Sequence, residues 1–293
     1  MAWYQLSIVT DEATAPALAD FLSEIGAVSV TYMDAEDQPV YEPPLNAVKI
    51  WQWTKVIALF ELDIQPVVVK ALIFEQFQDY SLKNWLEEVL EDQAWERTWL
   101  EHFQPMLFGN RLWICPTGMA RIEPNTVCMT LDPGLAFGTG THPTTALCLE
   151  WLASHDLTGK TVIDYGCGSG ILAVAAVLLG AKLVYALDID TQALMATTMN
   201  AEKNGVRDRI QSYLPEQFEA SAVDIVLANI LAKPLVELSS AISSLVNPAG
   251  MLILSGILIE QAQEVTDAYK SQFVVNEPTI QDDWCRLDGV KFN

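Results

Sequence analysis

The stretch that decides the fold is Val162-Ile163-Asp164-Tyr165-Gly166-Cys167-Gly168-Ser169-Gly170, where an apolar run meets a glycine loop that opens an apolar, helix-like segment. Glycines at a strand-to-helix turn let the backbone approach a ligand closely, and the first N–H groups of the helix can bind a carboxylate or phosphate. The spacing D-x-G-x-G-x-G differs from the dinucleotide fingerprint G-x-G-x-x-G. We therefore predict that this loop binds a ligand through Asp164, Gly166, Gly168 and Gly170; ordinary turn chemistry is the alternative explanation of the glycines.

From Leu112 onward, strand-like and helix-like apolar runs alternate along the chain. Repeated βα alternation predicts a parallel sheet with helices on both faces, a doubly wound, Rossmann-like α/β domain. Two further strand-like runs, 273–275 and 284–292, have no helix between them, which predicts an antiparallel hairpin at the sheet edge. Ligands of such sheets bind at the carboxyl ends of the strands, so further site residues are expected there.

An acidic side chain follows the second strand of this sheet, in Ala186-Leu187-Asp188-Ile189-Asp190. An acid at this strand tip is placed to bind both hydroxyls of a ribose, and Asp188 lies 22 residues after Gly166, close to the usual separation. Asp190 is the alternative ribose ligand, or it caps a helix that begins near Thr191. Asp188 is preferred because it follows the apolar run directly.

Two more segments carry candidate site residues. Asn229 follows an apolar strand-like run, and its amide offers one acceptor and one donor group, although capping the next helix is an alternative role. The segment 131–145, LDPGLAFGTGTHPTT, is rich in glycine and leads through Pro143 into a helix. It predicts a lid or clamp over the site, with a simple domain linker as the alternative. Its candidate residues are Phe137, Gly138 and Thr145.

The N-terminal part of the chain follows a different pattern. Residues 1–82 have the order β-α-β-β-α-β, which predicts a small α+β domain of the ferredoxin type, a common binding module. Residues 83–105 are predicted to form a linker helix, on which Trp95, Trp99 and Phe103 share one face. The α/β domain then occupies residues 106–293.

Composition limits the functional classes. The formal net charge is −22, so the surface repels phosphate backbones and direct nucleic-acid binding is not expected, whereas a basic protein would be attracted. The alternative is that the acidic surface serves only solubility and does not indicate a binding partner. No apolar run is long enough for a membrane span. Five scattered cysteines without C-x-x-C spacing and three dispersed histidines favour a reducing, cytoplasmic location and no metal site.

Taken together, four stretches resemble the bacterial ribosomal protein L11 methyltransferases, within the class I S-adenosylmethionine-dependent methyltransferases. They are LDPGLAFGTGTHPTT (131–145), TVIDYGCGSGILA (161–173), ALDID (186–190) and ANILA (228–232). RLWICP (111–116) and WCR (284–286) also match, so the resemblance extends over essentially the whole chain. The glycine loop alone would indicate only the wider superfamily.

The resemblance implies a seven-stranded catalytic domain joined by a linker to a small N-terminal substrate-recognition domain. It implies S-adenosylmethionine as methyl donor, with S-adenosylhomocysteine as product. The expected substrate is a basic large-subunit ribosomal protein, methylated on lysine side chains and on its N-terminal amine by a monomeric enzyme. The family's cofactor-binding positions match Thr145, Gly166, Asp188 and Asn229 in this chain.

One departure from related enzymes bears on the substrate. Many amino-group methyltransferases carry [ND]PPY where this chain has Asn229-Ile230-Leu231-Ala232, so the aromatic ring that stacks on a nucleobase is missing. This favours an aliphatic amine, oriented by Asn229, with Thr145 helping to close the site. A nicotinamide-dependent oxidoreductase and a binding module without turnover are the rival interpretations.

Overall fold

The computed structural model describes residues 2–36, 50–78, 80–90, 104–121, 123–132, 140–219 and 221–293. The chain divides into two compact units, Met1–Trp95 and Glu96–Asn293. Within the described ranges, no helix is long and apolar enough to cross a membrane.

The first unit is an antiparallel four-stranded sheet with two helices packed into one core. Its elements are β1 (Trp3–Asp11), α1 (Ala15–Glu24), β2 (Ser29–Asp34), β3 (Trp53–Glu61), α2 (Pro66–Gln76) and β4 (Lys83–Leu90). The strand order is β2-β3-β1-β4. Alternate residues of β1 and β3, such as Leu6 and Phe60, are buried against Leu18 and Ile73 of the helices, as expected for a sheet with one covered face.

Strand β4 corrects the predicted domain boundary. The sequence assigned residues 83–90 to the linker helix, whereas Lys83–Leu90 pairs with β1 and completes the first sheet. The run Leu86-Glu87-Glu88 favours helix by local propensity, but pairing with β1 and stacking of Trp85 on Phe74 of α2 determine the structure. Residues 91–103 of the predicted helix, which include Trp95, Trp99 and Phe103, lie outside the described residues.

The second unit contains the predicted doubly wound sheet. Its strands are β8 (Thr161–Tyr165), β9 (Leu183–Leu187), β10 (Ile210–Tyr213), β11 (Val223–Asn229), β12 (Val246–Leu258), β13 (Phe273–Val275), β14 (Thr279–Gln281) and β15 (Trp284–Lys291). The order is β10-β9-β8-β11-β12-β15-β13. The first five strands are parallel, and β15 is antiparallel to both neighbours.

The described part of this sheet has eight strands, one more than the seven predicted. The additional strand is β14, which pairs only with the start of β15. Asp282 adopts a left-handed conformation with φ of +53° and allows the chain to reverse between these two strands. A three-residue strand with an exposed pattern carries little apolar periodicity, which is why the sequence did not indicate it.

Six α-helices and a small second sheet surround the described part of this sheet. The helices are α3 (Pro143–Ser154), α4 (Ile171–Leu178), α5 (Thr191–Lys203), α6 (Ala232–Glu237), α7 (Ser239–Ser244) and α8 (Ala262–Tyr269). The small sheet consists of β5 (Met106–Phe108), β6 (Leu112–Cys115) and β7 (Val127–Thr130). Helix α4, ILAVAAVL, is apolar on every side and is buried over almost its whole length, consistent with its position between the sheet and its neighbours α3 and α5.

A buried cation joins α3 to the end of the sheet. The guanidinium of Arg286 on β15 donates to the carbonyl oxygen of Leu147 in α3 at 2.8 Å and to Thr279 Oγ1 at 3.0 Å. It also forms an ion pair with Asp288, 3.1 Å away. Because both charged side chains are largely buried, each depends on the other for compensation.

We expect Asp288→Ala to lower the free energy of unfolding by about 3 kcal/mol, since it leaves the Arg286 charge buried without its counter-ion. Lys270→Ala is the matched control, because it removes an ion pair with Asp267 that lies at the surface. Urea denaturation of both variants measures the difference. Equal denaturation midpoints for the two variants would show that the buried ion pair contributes no more to the free energy of unfolding than the surface pair.

Candidate functional site

The glycine loop after β8 lies against two neighbouring strand ends. The backbone N–H groups of Gly166 and Cys167 both donate to the carbonyl oxygen of Leu187, at 2.7 and 3.0 Å. Gly166 has φ of +77°, and a Cβ built on it would lie 2.3 Å from Cγ2 of Ile230. A side chain at this position would therefore collide with the segment that follows β11.

Asp188 is held in place by the same loop. Its Oδ2 accepts a hydrogen bond from the N–H of Gly168 at 2.9 Å, and its Oδ1 accepts one from the N–H of Asp190 at 3.0 Å. Asp190 caps α5, because its Oδ1 accepts from the N–H of Gln192 at 2.8 Å. Of the two acids weighed from the sequence, Asp190 is thus the helix cap and Asp188 is the one at the ligand loop.

Asp164 lies beneath the loop. Its Oδ2 accepts from the N–H of Ala173 in α4 at 3.0 Å, and its Oδ1 is buried without a hydrogen-bond partner in the described structure. Burial, with a smaller contribution from the charge of Asp188, raises the pKa of Asp164 from 3.8 to about 7. The geometry therefore fits support of the loop and of the start of α4.

Asn229 ends β11 and contacts α3. Its side-chain Nδ2 donates to Oγ1 of Thr145 at 3.3 Å, and Thr145 is fully buried in the first turn of α3. The amide nitrogen is thereby engaged on the protein side, and Oδ1 remains as an acceptor. The neighbouring Thr144 is tied to the sheet, since its carbonyl oxygen accepts from Ser255 Oγ at 3.0 Å.

These residues surround a cavity of about 580 Å³ at the carboxyl edge of the sheet. A pocket of this size accommodates a nucleoside-sized ligand. Most of its lining is apolar; the lining residues are His142, Thr144, Tyr165, Gly166, Gly168, Leu187, Asp188, Ile189, Pro215, Asn229, Ile230, Leu231, Pro234, Leu238, Gly256 and Trp284.

The structure separates the predicted site residues into three groups. Gly166, Gly168, Asp188 and Asn229 line the cavity. Thr145, Asp164 and Gly170 are not among the lining residues: Thr145 contacts Asn229, Asp164 accepts from the N–H of Ala173, and Gly170 has Thr197 too close to admit a Cβ, so their contact with a ligand stays a prediction. Two predicted residues, Phe137 and Gly138, lie outside the described residues.

Sequence reasoning missed an aromatic pair at the other end of the cavity. His142 precedes α3 and Trp284 begins β15, and their rings meet edge to face with centroids 5.0 Å apart at 67°. The sequence had indicated that the aromatic ring of the [ND]PPY motif is missing because position 232 is alanine; the Trp284 ring comes from a strand 52 residues further along. The WCR motif was the available signal, but no spacing rule connects it to Asn229.

The chain matches a known protein family over almost its whole length. The family described as "Ribosomal protein L11 methyltransferase (PrmA)" matches residues 2–292. The chain belongs to this family. Curated members from Methylococcus capsulatus and Tolumonas auensis are 52% and 51% identical over 290 and 293 residues, each covering 99% of both chains.

A solved structure of a relative supports the same assignment. The ribosomal protein L11 methylase from Lactobacillus delbrueckii subsp. bulgaricus is 31% identical, with a TM-score of 0.59, over 65% of this chain and 100% of its own. Family membership confirms the resemblance based on the four motifs and identifies the chain as a methyltransferase. The glycine loop, Asp188 and Asn229 form its candidate active site.

We expect Gly166→Ala to abolish binding of S-adenosylhomocysteine, because its Cβ would displace Ile230 from the cavity wall. Gly159→Ala is the matched control: Gly159 also has a positive φ, +74°, but has no atom within 4 Å of its Cβ position. Both variants should lose about 1–2 kcal/mol of stability, because each places an alanine in a left-handed backbone conformation. Calorimetry should find binding lost in the first variant only and partly restored by adding Ile230→Ala; equal affinities in both glycine variants would contradict this account.

The raised pKa of Asp164 predicts a pH-dependent stability. Because the folded protein holds the Asp164 proton more tightly than the unfolded chain, stability falls as pH rises from 3.8 to about 7. Asp164→Asn should remove this component, so the variant should gain stability relative to the wild type across that window.

Urea denaturation of the ligand-free protein between pH 4 and 8 measures the effect. Asp224→Asn serves as control, since the N–H of Thr161 lowers the pKa of Asp224 and confines its contribution to lower pH. A constant difference between Asp164→Asn and the wild type over this range would refute the assignment.

Proposed function

We propose that this protein transfers methyl groups from S-adenosylmethionine to amines of ribosomal protein L11, on lysine side chains and on the N-terminal amine. The observation that carries the proposal is the position of Asn229, which lies at the cavity with its nitrogen engaged by Thr145 and its oxygen available to orient an amine. Membership of the L11 methyltransferase family supports the choice of substrate. A ribosomal-protein substrate also agrees with action in the cytoplasm.

The residues present fit S-adenosylmethionine. The carboxylate of Asp188 suits the two ribose hydroxyls, and the backbone at Gly166 can approach a ligand closely because a Cβ has no space there. Positive φ angles at Gly166, Gly168 and Gly170 turn the loop into the start of α4, and Gly166 and Gly168, which line the cavity, allow the methionyl end of the cofactor to approach the backbone closely. The bound cofactor would supply a methyl group already activated by the sulfonium.

The protein's own task is then to present an uncharged nitrogen in line with that methyl. The apolar residues that follow Asn229 in the lining, Leu231, Pro234 and Leu238, disfavour an ammonium ion at Asn229 and so lower the pKa of a lysine that has reached this position. The oxygen of Asn229 accepts a hydrogen bond from the amine and directs its lone pair. Thr145 acts through Asn229 by fixing the amide, which makes it a positioning residue.

The first unit suits a recognition role. Its strand order β2-β3-β1-β4 and shared helix core agree with a ferredoxin-like module. Helix α2 exposes Val67 and Phe74 by 75% and 58%, beside the acidic residues Glu75 and Glu87. An apolar face with acidic neighbours complements a basic protein better than a nucleic acid. Action as a monomer, without nucleic acid or membrane, belongs to the same proposal.

Labelled methyl transfer to purified ribosomal protein L11 tests the function directly. The wild type should label L11, and mass spectrometry should place the label on lysine side chains and the N-terminal amine. Label confined to other atoms, or absent while S-adenosylmethionine still binds, would overturn the proposal. Binding of NADH in place of S-adenosylmethionine would favour the nicotinamide enzyme instead.

Two variants separate cofactor binding from turnover. Asp188→Ala should weaken S-adenosylmethionine by about 1.5–3 kcal/mol through loss of a charged hydrogen bond, whereas Asp190→Ala, which removes only a helix cap, should leave the affinity unchanged. Asn229→Ala should reduce kcat more than cofactor affinity. Calorimetry and transfer assays give both quantities, and equal losses in Asn229→Ala would exclude an orienting role.

A further inference from the structure

Strand order gives the cavity a direction. Asp188 follows β9, Gly166 follows β8, Asn229 ends β11, and Trp284 begins β15 beyond β12. With about 4.8 Å between neighbouring strands, Asn229 lies about 10 Å from the strand that carries Asp188 and about 10 Å from the strand that carries Trp284. If the ribose binds at Asp188 and the transferred methyl at Asn229, the end beside Trp284 is the part of the cavity through which the acceptor amine reaches Asn229.

The Trp284 ring is held firmly at this end. It packs against the ring of His142, whose Nδ1 accepts from the N–H of Thr144 at 3.3 Å and contacts its hydroxyl at 2.8 Å. Two residues after Trp284, Arg286 binds the carbonyl oxygen of Leu147. Helix α3 therefore fixes the start of β15 at two points, and the ring has a defined orientation in the cavity wall.

His142 is poorly suited to act as the base for the acceptor. A ring nitrogen that accepts from a backbone N–H carries no proton, so the neutral imidazole has its proton on Nε2. Burial lowers the pKa of His142, which favours the uncharged form of the ring. A neutral ring beside Trp284 does not repel a cation, and the exposed residues Asp282 and Asp283 precede Trp284 in the chain.

We infer that the indole face of Trp284 binds the acceptor nitrogen in its ammonium and methylammonium forms, with His142 as the residue that positions the ring. Tryptophan is the most effective aromatic partner for such cations. The amine reaches the site as an ammonium ion, releases a proton to solvent to expose its lone pair, and becomes cationic again on accepting the methyl. Trp284 would thus hold the nitrogen before and after transfer, while Asn229 directs it in between.

This inference rests on the proposed function, so the kinetic experiment includes the wild type on ribosomal protein L11. Trp284→Ala should lower kcat/KM roughly tenfold with affinity for S-adenosylmethionine unchanged. Trp284→Phe should recover most of the loss, because an aromatic face remains. Ile280→Ala, an exposed change on the adjacent strand β14, is the control and should behave as the wild type.

A binding experiment is independent of L11 turnover. In the wild type loaded with S-adenosylhomocysteine, tetramethylammonium should shift the indole N–H resonance of Trp284, identified by its absence from the Trp284→Phe spectrum, whereas the uncharged tert-butanol should not. No shift with tetramethylammonium, or equal shifts with both probes, would overturn the inference. So would full transfer activity in Trp284→Ala, or a parallel loss of cofactor affinity in that variant. Failure of the wild type to methylate L11 would instead count against the proposed function.

Discussion

The absence of a side chain at position 166 allows three strand ends to meet. Because Gly166 lies directly against Ile230 and donates to Leu187, the ends of β8, β9 and β11 are brought to one edge within hydrogen-bond and van der Waals distance. Asp188 then reaches the loop through Gly168, and Asn229 reaches α3 through Thr145. The meeting of Asp188 and Asn229 at one cavity therefore depends on this close approach of backbone to side chain.

Two buried ionisable groups support the site by different means. Arg286 keeps its charge and is compensated by Asp288 and by carbonyl and hydroxyl oxygens. Asp164 has one N–H partner, and burial raises its pKa to about 7, which favours the protonated form. Arg286 depends on the positions of its partners, so it is sensitive to their substitution. Asp164 depends on its own protonation, so its contribution to stability changes with pH.

Local patterns predicted the parts of the fold that depend on chain neighbours. The glycine spacing, the acid after β9 and the βα alternation are periodic or adjacent features, and they identified the sheet and four cavity residues. Two features that the sequence did not predict depend on pairing across long separations. Residues 83–90 became a strand through pairing with β1, and Trp284 reached the cavity because β15 pairs with β12. Whether Thr145 lies in or behind the cavity wall depends on how α3 packs, which no spacing rule specifies.

The position of β15 between β12 and β13 also has a consequence for synthesis. β13 precedes β15 in the chain but lies outside it in the sheet, so β15 must enter between two strands that have already been translated. Trp284 and Arg286 are therefore the last of the named site and anchoring residues to leave the ribosome, apart from Asp288. A nascent chain that contains the glycine loop, Asp188 and Asn229 still lacks Trp284 in the lining of its cavity until β15 has paired with β12.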